Sequence, residues 1–112
     1  MNNEDAVKLV FIISDRIEYE VDDKIVTVLE KQDHPIQKFF RKLKFRIPLY
    51  KKIKLDEYGS FVFLQIDGEK TVEEIGKNLE EEYGESTHPL YERLLMYINH
   101  IHVNCNYIER IN

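Results

Sequence analysis

The chain contains a single cysteine, Cys105, among 112 residues. No internal disulfide can form, and one thiol suits a reducing cytoplasm, where the protein is expected to reside. Long apolar runs are missing as well. Leu9 to Ile13 is as long as any, far short of the ~20 residues a membrane helix needs. No basic side chain precedes Lys8, and Glu4 and Asp5 give the start of the chain the wrong sign for a secretory signal. Glycine is scarce: Gly59, Gly68, Gly76 and Gly84 stand apart, so no phosphate-cradling loop can be assembled from them. No repeat or low-complexity stretch appears. What remains is 43% hydrophobic and 33% charged, the balance of a soluble globular chain. The length suffices for one domain, 1–112, and not for two comfortable cores.

The net charge of −5 conceals a partition. Residues 31–54 hold nine Lys and Arg against the one acid Asp33, whereas residues 55–92 hold eleven acids against Lys70 and Lys77. Such a dipolar chain can steer a partner with complementary patches. Equally, the two blocks can face each other or solvent.

The most strongly punctuated stretch is Leu55 to Gly84, LDEYGSFVFLQIDGEKTVEEIGKNLEEEYG. Asp56 stands where an N-cap is needed, ahead of the apolar residues Tyr58, Phe61, Val62, Leu64 and Ile66. Asp67-Gly68 breaks the run, since glycine supplies a positive φ for a turn. Thr71 and Glu74 have the spacing of a capping box, in which hydroxyl and carboxylate each satisfy a free backbone donor. Val72, Ile75, Leu79 and Tyr83 follow at helical spacing, and Gly84 is placed to close the helix. The stretch predicts two helices joined by a tight turn, with one apolar face and an acidic back.

Before it, residues 1–7 read as a frayed start and Lys8 to Ile13 as an extra edge strand or a cover for the core. Ile17, Tyr19 and Val21 alternate with Glu18, Glu20 and Asp22, and Ile25 to Leu29 is β-branched, so residues 16–30 predict a hairpin turning at Asp22-Asp23. In Ile36 to Ile47, the residues Ile36, Phe39, Phe40, Leu43 and Ile47 share a helical arc of about 100°, with Lys38, Arg41, Lys42, Lys44 and Arg46 outside it. This cationic amphipathic helix, ended by Pro48, suits a membrane surface, an acidic partner or nucleic acid. The plainer reading is a surface helix of the domain. Leu49 to Leu55 predicts a third strand, Leu49, Ile53 and Leu55 inward and Tyr50, Lys52 and Lys54 outward. Lysines at alternate positions blunt an exposed sheet edge, and an edge left unpaired is where an extended peptide can add. After Gly84, Thr87 is a candidate N-cap for a third helix. Its stripe is Leu90, Leu94, Tyr97, Ile98 and Ile101, flanked by Tyr91, Leu95 and Met96. Tyr107 to Ile111 can form a short closing strand.

No catalytic constellation emerges. His100 and His102 stand about 200° apart on a helix and cannot share a metal, and His102 with Cys105 supplies only two ligands. The carboxylates of the second helix sit on its solvent face with nothing to raise their pKa. No metal, no cofactor and no enzymatic activity is expected.

The pattern L-D-x-x-G-S-F-x-x-x-x-I-D-G-x-x-T-V-x-E-I, here Leu55 to Ile75, resembles the PqqD-like family, and P-L-Y-E-R-L from Pro89 to Leu94 fits that family's third helix. The resemblance extends over residues 16–111 and is strongest from Leu55 to Leu94. It implies a winged-helix-like α+β fold, an N-terminal three-stranded antiparallel sheet followed by three helices. It also implies a non-catalytic module that binds the leader of a ribosomally made precursor peptide and presents it to a modifying enzyme, such as a radical S-adenosylmethionine protein. The leader would dock as an added strand between the third strand and the third helix. Tyr50, Lys52, Ile53 and Lys54 would form the edge, and Leu90, Leu94, Tyr97, Ile98 and Ile101 the cleft wall. Arg93 and Lys52 would meet acidic leader residues. Asp56, Gly59, Asp67, Gly68 and Thr71 match the motif as caps and turns. Residues 1–15 and the basic segment 31–48 are departures from the family, and Asn106 stands where a glycine usually precedes the closing strand. These departures leave the pathway open, pyrroloquinoline quinone included. The alternative is a winged-helix DNA-binding regulator; against it, the helix-turn-helix face is acidic and would repel phosphates.

Overall fold

The computed structural model describes residues 3–31 and 50–112. The basic amphipathic segment from Ile36 to Ile47, Pro48 and Leu49 lie outside the described residues.

A helical turn, α1 (Asn3–Ala6), precedes four strands: β1 (Phe11–Ile13), β2 (Glu18–Asp22), β3 (Ile25–Lys31) and β4 (Tyr50–Lys54). Three helices follow, α2 (Glu57–Gln65), α3 (Val72–Tyr83) and α4 (Leu90–Asn99), and the chain closes on β5 (Ile108–Arg110). The class is α+β: an antiparallel sheet ordered β2-β3-β4, with three helices after it in sequence. A second sheet, β1 against β5, joins the two ends of the chain, so the segment from Leu9 and the closing strand cover the core together.

The β2–β3 hairpin turns at Asp23-Lys24, one residue later than its sequence suggests, with φ of 48° and 66°. A type I′ hairpin loop needs left-handed backbone at both positions, and here neither is glycine. Val26 and Val28 are fully buried. Their β2 neighbours on the same face, Val21 and Tyr19, remain 49% and 43% exposed. The ring of Phe63 reaches Tyr19, edge-on with centroids 5.0 Å apart, while Val21 stays half in solvent. The inward stripe of β2 is therefore only partly covered.

The punctuation of the helical stretch is realised locally. The Asp56 carboxylate accepts the Gly59 N–H at 2.7 Å and caps α2. The buried Ser60 hydroxyl accepts the Val26 N–H at 2.9 Å, which ties α2 to the sheet across 34 positions of sequence. Within α2, Phe63 is buried and Leu64 is exposed, the reverse of what the apolar run alone suggests. Asp67 accepts from the N–H groups of Glu69 and Lys70, both at 2.9 Å, and Gly68 takes φ 82°. The capping box forms: Glu74 N–H donates to the Thr71 hydroxyl at 3.2 Å, and Thr71 N–H to the Glu74 carboxylate at 3.1 Å. Gly84, at φ 66°, closes α3.

Three details differ from the sequence reading. Thr87 does not cap α4: its hydroxyl donates to the Gly84 carbonyl at 2.7 Å, closing the 3₁₀ turn Gly84–Thr87, and α4 starts after Pro89. Beyond α4 the backbone widens into a π turn, His100–Asn104, so Cys105 meets His100 (3.5 Å) rather than His102, whose ring packs on Phe11. The start of the chain is also tied down. Leu9 and Val7 carbonyls accept the Val72 and Glu73 N–H groups at 3.0 and 2.9 Å, satisfying two donors that the first turn of α3 leaves free. Asn106 takes φ 58°, so the turn before β5 survives without glycine.

Two substitutions test this account by urea unfolding. Ser60→Ala leaves the Val26 N–H without its acceptor and should lower stability by about 1–3 kcal/mol. Lys24→Gly removes a side chain from left-handed backbone and should raise it by about 1 kcal/mol.

Candidate functional site

The antiparallel register aligns Ile53 with Val28, Lys51 with Glu30 and Lys52 with Leu29. The Leu55 N–H donates to the Val26 carbonyl at 2.9 Å, which fixes the phase of the ladder. Backbone groups of Lys51, Ile53 and Leu55 face β3; those of Tyr50, Lys52 and Lys54 point the other way. Among the described residues no strand pairs with that side of β4.

Side chains alternate across the same strand. Ile53, half-buried, shares the core face with Lys51, and Leu55 follows it. Lys52 and Lys54 are exposed on the opposite face, with Leu29 and Thr27. Helix α2 packs against β3 on the core face. Tyr97 lies under the start of α2, where a Cβ on Gly59 would stand 2.6 Å from its hydroxyl. Further along, the Tyr107 hydroxyl donates to the Glu30 carboxylate at 2.6 Å.

The sequence-derived site residues divide into two groups. Leu94, Ile98 and Ile101 are fully buried and belong to the core. Leu90 and Tyr97 are half-buried at its margin, and Arg93 is exposed. Arg93 is already engaged: its guanidinium donates to the Ser86 carbonyl at 2.7 Å and lies 5.2 Å from the centroid of the Tyr58 ring. Lys52 projects from the face opposite Ile53. The structure adds residues that the sequence reading did not weigh. Tyr58 packs edge-on against Tyr97, with centroids 5.8 Å apart. With Asp56, Glu57, Tyr83, Ser86, Thr87 and Arg93 it lines a cavity of about 280 Å³ at the head of α4. Lys51 and Glu30 mark the other end. Only alternation within β4 could have signalled Lys51, and nothing local could have signalled Glu30, whose partner is 77 positions away.

The titratable groups around this region are perturbed mainly by burial. Burial raises the Tyr97 phenol far above its ordinary value of 10.0, and the Asp56 carboxylate adds to the shift. Among the described residues the buried hydroxyls of Tyr58 and Tyr97 have no hydrogen-bond partner. Burial also pushes the Cys105 thiol up, with Glu30 adding to it, which opposes formation of a nucleophilic thiolate. Among the described residues no three His, Cys, Asp or Glu side chains are grouped to hold a metal ion, and no helix is long and apolar enough to cross a membrane.

These elements define a small α+β domain with a three-stranded antiparallel sheet, two capped helices in tandem and a third helix after them. Residues 50–104, from β4 through the end of the π turn, match the family described as coenzyme PQQ synthesis protein D (PqqD). That stretch is just under half of the chain's length, and it contains most of the motif that resembles the PqqD-like family. No curated protein and no solved structure gives a significant match.

The raised Tyr97 pKa has a definite sign. The folded state keeps a proton that the unfolded chain releases near pH 10, so this contribution is constant below pH 10 and is lost as pH rises above it. Denaturation curves between pH 8 and 11 should show Tyr97→Phe as neutral or slightly stabilising at pH 8, with a shallower decline above pH 10 than the parent.

Proposed function

We propose that β4 accepts the leader segment of a ribosomally made precursor as an added strand and that the domain presents it to a peptide-modifying enzyme. The PqqD family supports a peptide-binding, non-catalytic accessory role in cofactor synthesis in general. The observation that carries the finer reading is the half-used backbone of β4: the donors and acceptors of Lys52 and Lys54 point off the sheet, where no described strand pairs with them. Main-chain hydrogen bonds to such an edge give affinity, and pockets for alternate side chains give specificity. On the core-facing side those side chains would meet Ile53, Tyr97 and Leu90. Leu94, Ile98 and Ile101 hold this surface up from behind. By resemblance the partner enzyme is a radical S-adenosylmethionine protein or another peptide-modifying enzyme.

A DNA-binding role finds little support in the helix-turn-helix face. Glu73, Glu74, Glu80, Glu81 and Glu82 are all exposed on α3, where phosphates would need cations.

The test separates backbone from side chain. Lys52→Pro removes an N–H that the β3 ladder does not use, so the domain should fold with stability within about 1 kcal/mol of the parent. Its affinity for leader peptides from precursors encoded beside this gene should fall at least tenfold in calorimetric titration. Lys52→Ala, which keeps the N–H, should lose less. Equal binding by Lys52→Pro and the parent rules out strand addition at β4.

A further inference from the structure

The three-stranded sheet carries its charge asymmetrically on the face away from the core. Reading across the strands by register, Glu18 leads to Leu29 and then Lys52, and Glu20 leads to Thr27 and then Lys54. Asp22 lies beside Ile25 at the turn end. The β2 margin thus bears three exposed acids, the middle-strand residues between them and β4, Ile25, Thr27 and Leu29, are uncharged, and the β4 margin bears two exposed lysines spaced two residues apart. Glu20, Asp22, Thr27 and Lys54 line one shallow cavity on this face, which places them on a common surface. Among the described residues neither Lys52 nor Lys54 has a carboxylate within ion-pair distance, whereas Lys70 and Lys77 are paired with Asp67 and Glu73.

We propose that Lys52 and Lys54 make the β4 edge selective for a peptide strand with carboxylates at alternate positions on its outer side, and that Glu18, Glu20 and Asp22 turn the same strand away from the β2 edge. The proposal rests on strand addition at β4 and specifies the chemistry of the occupant. A strand laid along β4 has neighbours directly across at about 5 Å, where opposite charges attract and like charges destabilise the pair. Its inward side chains lie on the face of the half-buried Ile53 and Leu55, which favours apolar residues opposite them, with Lys51 further along the same face. The occupant is therefore an acidic-outside, apolar-inside β-segment. Among the described residues the sheet has two margins without a pairing strand, and charge is what tells them apart. Arg93 has no part in this selection, since Ser86 and Tyr58 already occupy its guanidinium.

The experiment uses three fluorescein-labelled ten-residue peptides alternating valine with glutamate, glutamine or lysine, titrated into the full chain. Fluorescence anisotropy gives affinity, and backbone amide shifts give location. The glutamate peptide should shift the amides of residues 50–54 and bind about tenfold more tightly than the glutamine peptide, an advantage that fades near 1 M salt, where screening reaches ~3 Å. In Lys52→Glu/Lys54→Glu the preference should invert toward the lysine peptide, with the amide spectrum of the helices unchanged. Equal affinity of the glutamate and glutamine peptides, with shifts at β4, overturns the charge selection and leaves strand addition standing. Shifts of the glutamate peptide at residues 18–22 or 38–46 instead of β4 also overturn it. If a precursor leader too fails to shift residues 50–54, strand addition itself falls.

Discussion

The pairing of β3 with β4 commits the main-chain groups of Lys51, Ile53 and Leu55 and leaves those of Lys52 and Lys54 without a strand beside them among the described residues. Everything else in the candidate site is arranged around that imbalance. Ser60 fastens α2 to the neighbouring strand, Asp56 starts α2 one residue past the inward-facing Leu55, and the close approach at Gly59 seats Tyr97 of α4 beneath α2. An open margin on an isolated hairpin would be an aggregation hazard. Here it is flanked by lysines on one face and held in a rigid frame by three helices.

Much of that frame was legible in the sequence because its signals are short-range. Asp56, Thr71 with Glu74, Asp67-Gly68 and Gly84 each act on backbone within a few positions, and each forms the cap or turn that its chemistry implies. The hairpin and the third strand were equally readable from alternation. Where signals compete, the sequence was less informative. Thr87 could cap the following helix or close the preceding turn, and its hydroxyl does the latter. The broad apolar face of α4 gave no means of deciding which residues fill the core and which border a cleft. Leu94, Ile98 and Ile101 proved to be core. Long-range links were beyond any local pattern: Ser60 to Val26, Tyr107 to Glu30, and the carbonyls of Val7 and Leu9 on the start of α3.

The family motif acquires a physical reading position by position. Its glycine at Gly59 is small because a phenol lies over it, its serine at Ser60 is an acceptor for a strand N–H, and its aromatic at Phe61 packs edge-on against Tyr83 at the end of α3. None of these residues needs to touch a ligand. They fix the angle between sheet and helices, and so shape the space beside β4 from a distance.

The N-terminal segment and the closing strand bear on what counts as the unit of this molecule. The family match begins at β4 and ends before β5, yet Phe11, Val26, Val28, Tyr107 and Ile108, all outside it, are part of one continuous core with Phe63 and Leu94. The α3 helix borrows acceptors from residues 7 and 9, and the Asn112 side chain clasps the backbone of Lys8 and Val10. A fragment cut to the family boundaries would carry β4 but lack its sheet partner β3. Grafting this module onto an enzyme therefore means transplanting both flanks with it, and the two ends, clasped together, offer neighbouring points of attachment.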